Sequence, residues 1–187
     1  MWLREQGKFI VDFLLNPKTS WGKIGELSLD IKDLVIVFLA PLAAIIGFSS
    51  ILGGLMWSHY GIFNLIFKGI AYGAEYVATV IISSFVLSKL INSFEVKDED
   101  HKLLKLTIFA YVPVFLFGSI AFIIPQLDFL FNLLCLTSIY YYWYGSLQLL
   151  GITEERAVGF VFLSLIINAA ALAVSMLFIG GFFSIFF

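Results

Sequence analysis

The sequence predicts an all-α polytopic membrane protein, with five transmembrane helices preceded by one or two amphipathic interfacial helices. Three observations predict it. Of the 187 residues, 61% are apolar and only 13% charged, against roughly 45–50% and 25% in soluble globular domains. Mean hydropathy is +1.01, and the apolar residues gather in stretches of about 20, the length needed to cross a hydrocarbon core about 30 Å thick at about 1.5 Å per helical residue. Ten of the 11 cations fall on one set of flanks. This composition excludes a soluble domain and a disordered chain. With 11 Lys and Arg against 13 Asp and Glu, it carries no basic excess for binding nucleic acid.

Residues 1–33 form the amphipathic segment. Trp2, Leu3, Phe9, Ile10, Phe13 and Leu14 recur at helical spacing, opposite Arg4, Lys8 and Asp12. These charges interrupt any signal-peptide core, and no small-residue cleavage site follows. Asn16-Pro17 ends the first helix, because proline has no N–H to donate and restricts the residue before it. A second stretch sets Trp21, Ile24, Leu27 and Ile31 opposite Lys23, Glu26 and Asp30. Both helices are expected in the headgroup plane, with the lipid bilayer as partner and Trp2 and Trp21 as interfacial anchors.

The membrane domain, 34–187, holds spans at about 34–57, 69–91, 103–124, 127–150 and 157–178. Each reads as a helix because hydrocarbon offers no water to pair the backbone. No linker divides this domain, and no internal repeat is visible. Of the 11 Lys and Arg, all except Lys68 lie before the first span, in or flanking the loop between the second and third, or between the fourth and fifth. Cytoplasmic flanks retain positive charge, which places the N-terminus in the cytoplasm and the C-terminus outside. The expected location is the prokaryotic cytoplasmic membrane, or the ER/Golgi membrane if the source is eukaryotic.

Several short motifs follow in order: Asn16-Pro17-Lys18-Thr19-Ser20-Trp21 with Ile24 and Glu26, then Ala110-Tyr111-Val112-Pro113, and then Pro125. After them come Tyr140-Tyr141-Tyr142-Trp143-Tyr144-Gly145 and Leu149-Leu150-Gly151-Ile152. Over nearly the whole chain this pattern resembles prokaryotic members of the Yip (Ypt-interacting protein) domain family. The resemblance implies a five-span protein with a cytoplasmic N-terminus; prokaryotic members have no settled activity. Eukaryotic relatives bind Rab-type GTPases and act in vesicle traffic and membrane shaping. Their Asp-Leu-Tyr-Gly-Pro signature is missing here, since Asp33-Leu34 runs into an apolar stretch with Pro41 inside it. A small GTPase partner is therefore implied only by analogy.

Within the spans, Glu75 is the first candidate for chemistry, because an ionisable group there costs roughly 2.5–3.5 kcal/mol on insertion scales. Lys68, Tyr72, Glu75, Thr79 and Ser83 share one helix face. One reading is a polar path or small-ligand site with Glu75 as cation or proton acceptor. The other is a hydrogen-bonded helix contact, with Glu75 about 9 Å from Gly69 and within reach of Lys68 or water at the outer interface. Ser164, Asn168, Ala171 and Ser175 share a face of the fifth span, so a site between the second and fifth helices would use Asn168. Thr107, Tyr111, Val114, Gly118 and Ala121 form a similar stripe on the third span, and Gly69-x-x-x-Gly73 one on the second. Pro113 is expected to kink the third span. Tyr140, Tyr141, Trp143 and Tyr144 read as interfacial anchors, and the acidic 95–101 loop as solvated.

Enzyme signatures are absent from the sequence. The single cysteine, Cys135, can form no internal disulfide, and His59 and His101 fall on opposite membrane faces, which excludes a His-His metal site. No Gly-x-Ser-x-Gly elbow or phosphate-cradling loop occurs. No cofactor or metal is expected. Two function classes remain: a non-enzymatic membrane scaffold or adaptor, working with itself or other membrane proteins, and a small channel or transporter using the polar face around Glu75.

Overall fold

The computed structural model describes residues 2–96 and 101–184, with side chains from Gly7 to Val96 and from His101 to Phe183. The Trp2 side chain and the acidic stretch 97–100 lie outside the described residues. All regular structure among the described residues is helical. Helices α1 (Trp2–Leu15) and α2 (Pro17–Gly25) meet at Asn16, as the Asn16-Pro17 break requires, with Pro17 at the first helical position. The second amphipathic stretch is not one helix through to the first span. Its helix stops at Gly25, and α3 (Ile31–Trp57) starts afresh, because the Asp30 carboxylate accepts the Asp33 N–H at 2.8 Å and caps it. Pro41 cannot donate to the ladder, and the π-turn Val35–Leu39 just ahead of it absorbs the defect.

Helix α4 (Ile62–Phe94) begins seven residues before the expected start at Gly69. Lys68 does not end it, because its ammonium lies 3.5 Å from the centre of the Tyr60 ring, where the aromatic face shelters the charge. Glu75 is consequently about 20 Å along from Ile62, near the middle of the helix. Helix α5 (Lys102–Ile123) is interrupted at Tyr111, two residues before Pro113, where the kink is expected. The region expected as a fourth continuous span is two pieces, α6 (Asp128–Cys135) and α7 (Thr137–Gln148). At the joint, the Leu136 N–H turns to Leu133 O at 3.1 Å and the Thr137 hydroxyl donates to Leu134 O at 2.7 Å. These three-residue bonds tighten the chain out of the α-ladder. Helix α8 (Glu154–Phe183) runs past the expected end at 178 and contains a second π-turn, Met176–Gly180. Among the described residues, four helices, α3, α4, α5 and α8, are long and apolar enough to cross a membrane.

Close backbone approach holds the spans together. A Cβ on Gly47 of α3 would lie 2.6 Å from Gly69 O of α4, one on Gly69 would lie 2.7 Å from Gly47 O, and one on Gly73 would lie 3.2 Å from Ala43 O. The glycine pair read as a packing stripe does serve that purpose. Gly53 of α3 sits equally tightly on the Phe122 carbonyl of α5. Beside it the Trp57 indole N–H donates to Ile123 O at 2.9 Å, tying together the ends of α3 and α5. At the opposite end, Arg156 grips Glu95 through two contacts of 2.8 Å.

Helices α1 and α2 close this second end with an aromatic cluster. Phe13 and Trp21 are fully buried, and the Phe13 ring meets Trp21 at 5.2 Å, Phe109 at 5.5 Å and Tyr141 at 5.0 Å. Trp21, expected as a headgroup anchor, therefore lies inside the protein. The apolar face of an amphipathic helix is satisfied as well by side chains as by acyl chains, and here Gly145 leaves the indole a seat against α7. A salt bridge of 2.9 Å between Lys23 and Asp12 joins the two helices on their exposed side. The Lys23 ammonium, with the Asn16 amide, holds the Asp12 carboxyl below its ordinary value of 3.8. A lowered carboxyl stabilises the folded state above the unfolded value, and that stabilisation is lost as pH falls through the folded value. Hydrogen exchange of the α2 amides, corrected for intrinsic rates, is expected to stay constant between about pH 7 and 5 and to quicken below about pH 4. The same profile in Lys23→Met would contradict this.

Candidate functional site

The α4–α8 seam brings together Glu75, Thr79 and Ser83 from one helix and Ser164, Asn168 and Ser175 from the other, all buried. Its register follows from two contacts. Glu95 pairs with Arg156 at one end, and a Cβ on Gly180 would lie 2.9 Å from Glu75 Oε1, so the helices run antiparallel. Gly180 thus leaves room for the carboxyl. Counting from that level, Ser175 lies about 7 Å along the axis, between Thr79 at about 6 Å and Ser83 at about 12 Å, and Asn168 lies about 18 Å away.

The polar atoms of the seam fall into two groups. Some are satisfied within their own helix: the Thr79 hydroxyl donates to Glu75 O at 2.7 Å, and the Ser164 hydroxyl to Phe160 O at 2.8 Å. The Asn168 amide donates to Ser164 O at 2.8 Å and to the Tyr142 hydroxyl at 2.9 Å, which binds α8 to α7. Others have no partner. Glu75 Oε2, Ser83 Oγ, Ser175 Oγ and Asn168 Oδ1 are buried without a hydrogen bond. A natural helix contact leaves few such atoms, and four in one seam mark it as the chemically unusual part of the bundle.

Two residues expected on this face are elsewhere. The Tyr72 ring packs 5.0 Å from Phe122, so it turns toward α5. Lys68 lies over Tyr60, with no salt bridge between it and Glu75. The seam offers a carboxyl, two hydroxyls and an amide oxygen, all hard acceptors. No group of three or more His, Cys, Asp or Glu able to hold a metal occurs among the described residues.

No family model, curated protein or solved structure matches the chain.

The aromatic block splits by burial. Tyr140 is exposed and stacks 4.6 Å from Tyr144, over which Lys18 sits at 5.0 Å. Trp143 and Tyr144 are half-buried. Tyr141, expected as an anchor in the headgroups, is buried with its hydroxyl donating to Leu14 O at 3.0 Å, so it fastens α1 to α7 instead. The roles of Tyr142, Gly145 and Gly180 were not apparent in the sequence. Each depends on a helix distant along the chain, and nothing local distinguishes these residues from their neighbours.

Proposed function

We propose that the chain is a five-span, non-enzymatic integral membrane scaffold or adaptor of the Yip type, in a prokaryotic cytoplasmic membrane with its N-terminus cytoplasmic. Five crossings are supported by the end-to-end contacts. The Glu95–Arg156 pair joins the end of α4 to the start of α8. Helix α5 carries the chain away from that end, so the α6–α7 segment has to return it. In keeping with this, α6 packs along the later half of α5 and α7 along the earlier half. Together α6 and α7 span about 30 Å.

The observation that carries the adaptor reading is the docked α1–α2 hairpin. Its apolar face is fixed in the bundle through Phe13, Trp21 and Ile24, while Lys8, Lys18, Lys23 and Glu26 face outward on a rigid surface at the cation-rich end. Crosslinking and pull-down of the full chain from native membranes test it. A reproducible partner or self-adduct, lost on joint charge reversal of Lys8 and Glu26, is the expected result. A monomeric chain with no reproducible partner contradicts it. A second reading, a small channel or transporter, is favoured by the unpartnered Glu75 oxygen at mid-helix. Ion flux in liposomes that Glu75→Gln abolishes would replace the scaffold reading with this one.

A further inference from the structure

Glu75 combines three features that a packing residue does not need. It lies at the middle of a 33-residue helix, it is 4% exposed, and its Oε2 has no hydrogen-bond partner. An ionised carboxylate in that position is costly, and the cost is relieved when the group binds a small cation. The surroundings select which cation. The helix opposite is widened by the π-turn Met176–Gly180, and Gly180 contributes no side chain against Glu75 Oε1. The nearest unpartnered hydroxyls, Ser175 and Ser83, are spread about 7 and 12 Å along the seam, too far apart to close a metal-ion shell around the carboxyl. One proton needs no such shell.

We propose that Glu75, seated against Gly180 in the α4–α8 seam, is a mid-membrane proton-exchange site. The titratable groups around it are Tyr72 and Tyr76 on its own helix, with Tyr111 of α5 and Cys135 of α6 beyond Tyr76. Residues 34–57 of α3 and 157–183 of α8 contribute none. Lys68, two turns away on the same helix, lies over the Tyr60 ring, and among the described residues no ion pair reaches the Glu75 carboxylate. The site holds for a scaffold as for a transporter, because it rests on the seam alone.

The test is labelling of the full chain in liposomes with dicyclohexylcarbodiimide across a pH series. The reagent dissolves in lipid and reacts with a protonated carboxyl: the acid proton passes to a carbodiimide nitrogen, and the carboxyl oxygen bonds to the central carbon. Peptide mass spectrometry reads the adduct. The expected result is an adduct on Glu75 that falls about tenfold per pH unit once the carboxyl ionises, is unaffected by sodium chloride, and is absent in Glu75→Gln. Gly180→Ala, which puts a methyl group 2.9 Å from Oε1, is expected to shift that pH profile. Gly181→Ala, whose methyl meets open space, is expected to leave it unchanged. The proposal is overturned by no Glu75 adduct at any pH in folded protein, by labelling that does not vary with pH, or by protection with sodium, which would indicate a metal-ion site.

Discussion

Trp21→Ala is expected to cost about 3–5 kcal/mol, the range for removing a large aromatic side chain from a packed core, and to release α1 and α2 from the bundle. The indole is fully buried, lies edge-on to Phe13 at 5.2 Å and to Phe109 at 6.5 Å, and fills the space that Gly145 leaves open. Because the cluster joins the hairpin to the helices rather than the helices to one another, the loss should appear first as protease cleavage around Lys18 and Lys23. Unfolding of the spans should follow only later. Trp21→Phe separates this account from a headgroup anchor. The indole N–H is buried without a partner, so phenylalanine removes an unsatisfied donor while retaining most of the packing, and little stability is lost. A tryptophan anchored in the headgroups would show a modest loss for both substitutions.

Gly53→Ala is the second large effect. Its Cβ would overlap the Phe122 carbonyl, which is backbone and cannot rotate away. The ends of α3 and α5 must separate, at a cost of about 1–3 kcal/mol for overpacking. The Trp57–Ile123 hydrogen bond should break with them, and the Trp57 fluorescence should report it. Gly22→Ala is the control. Gly22 is an exposed helical glycine with nothing within 4 Å of the added Cβ, and alanine there should stabilise α2 by about 0.5–1 kcal/mol. Equal effects at the two glycines would contradict the close packing of α3 on α5.

The sequence showed the helices through their apolar length, the hairpin break through Asn16-Pro17, the interruption near Pro113, and a close-packing stripe through Gly69 and Gly73, though not its partner. Each of these signals is local. What it did not show depends on distant partners. Trp21 and Tyr141 carry the same amphipathic signature whether they meet lipid or Phe13 and Leu14. The joint at Leu136 contains neither proline nor glycine. Lys68 looked like a helix boundary because only the fold places Tyr60 beneath its ammonium, and the helix begins seven residues earlier than expected. The seam between the second and last spans was legible as two polar faces. Its register was not, because it depends on Gly180 meeting Glu75.

Five crossings require that the α6–α7 segment traverse the membrane. With Cys135 replaced by alanine, Gln126→Cys and Thr153→Cys each present one thiol at an exposed position on either side of that segment. In sealed vesicles that keep the native orientation, a membrane-impermeant maleimide is predicted to label Gln126→Cys at once, and Thr153→Cys only after permeabilisation. Labelling of both from the same side would leave the chain with four crossings and contradict the five-span account.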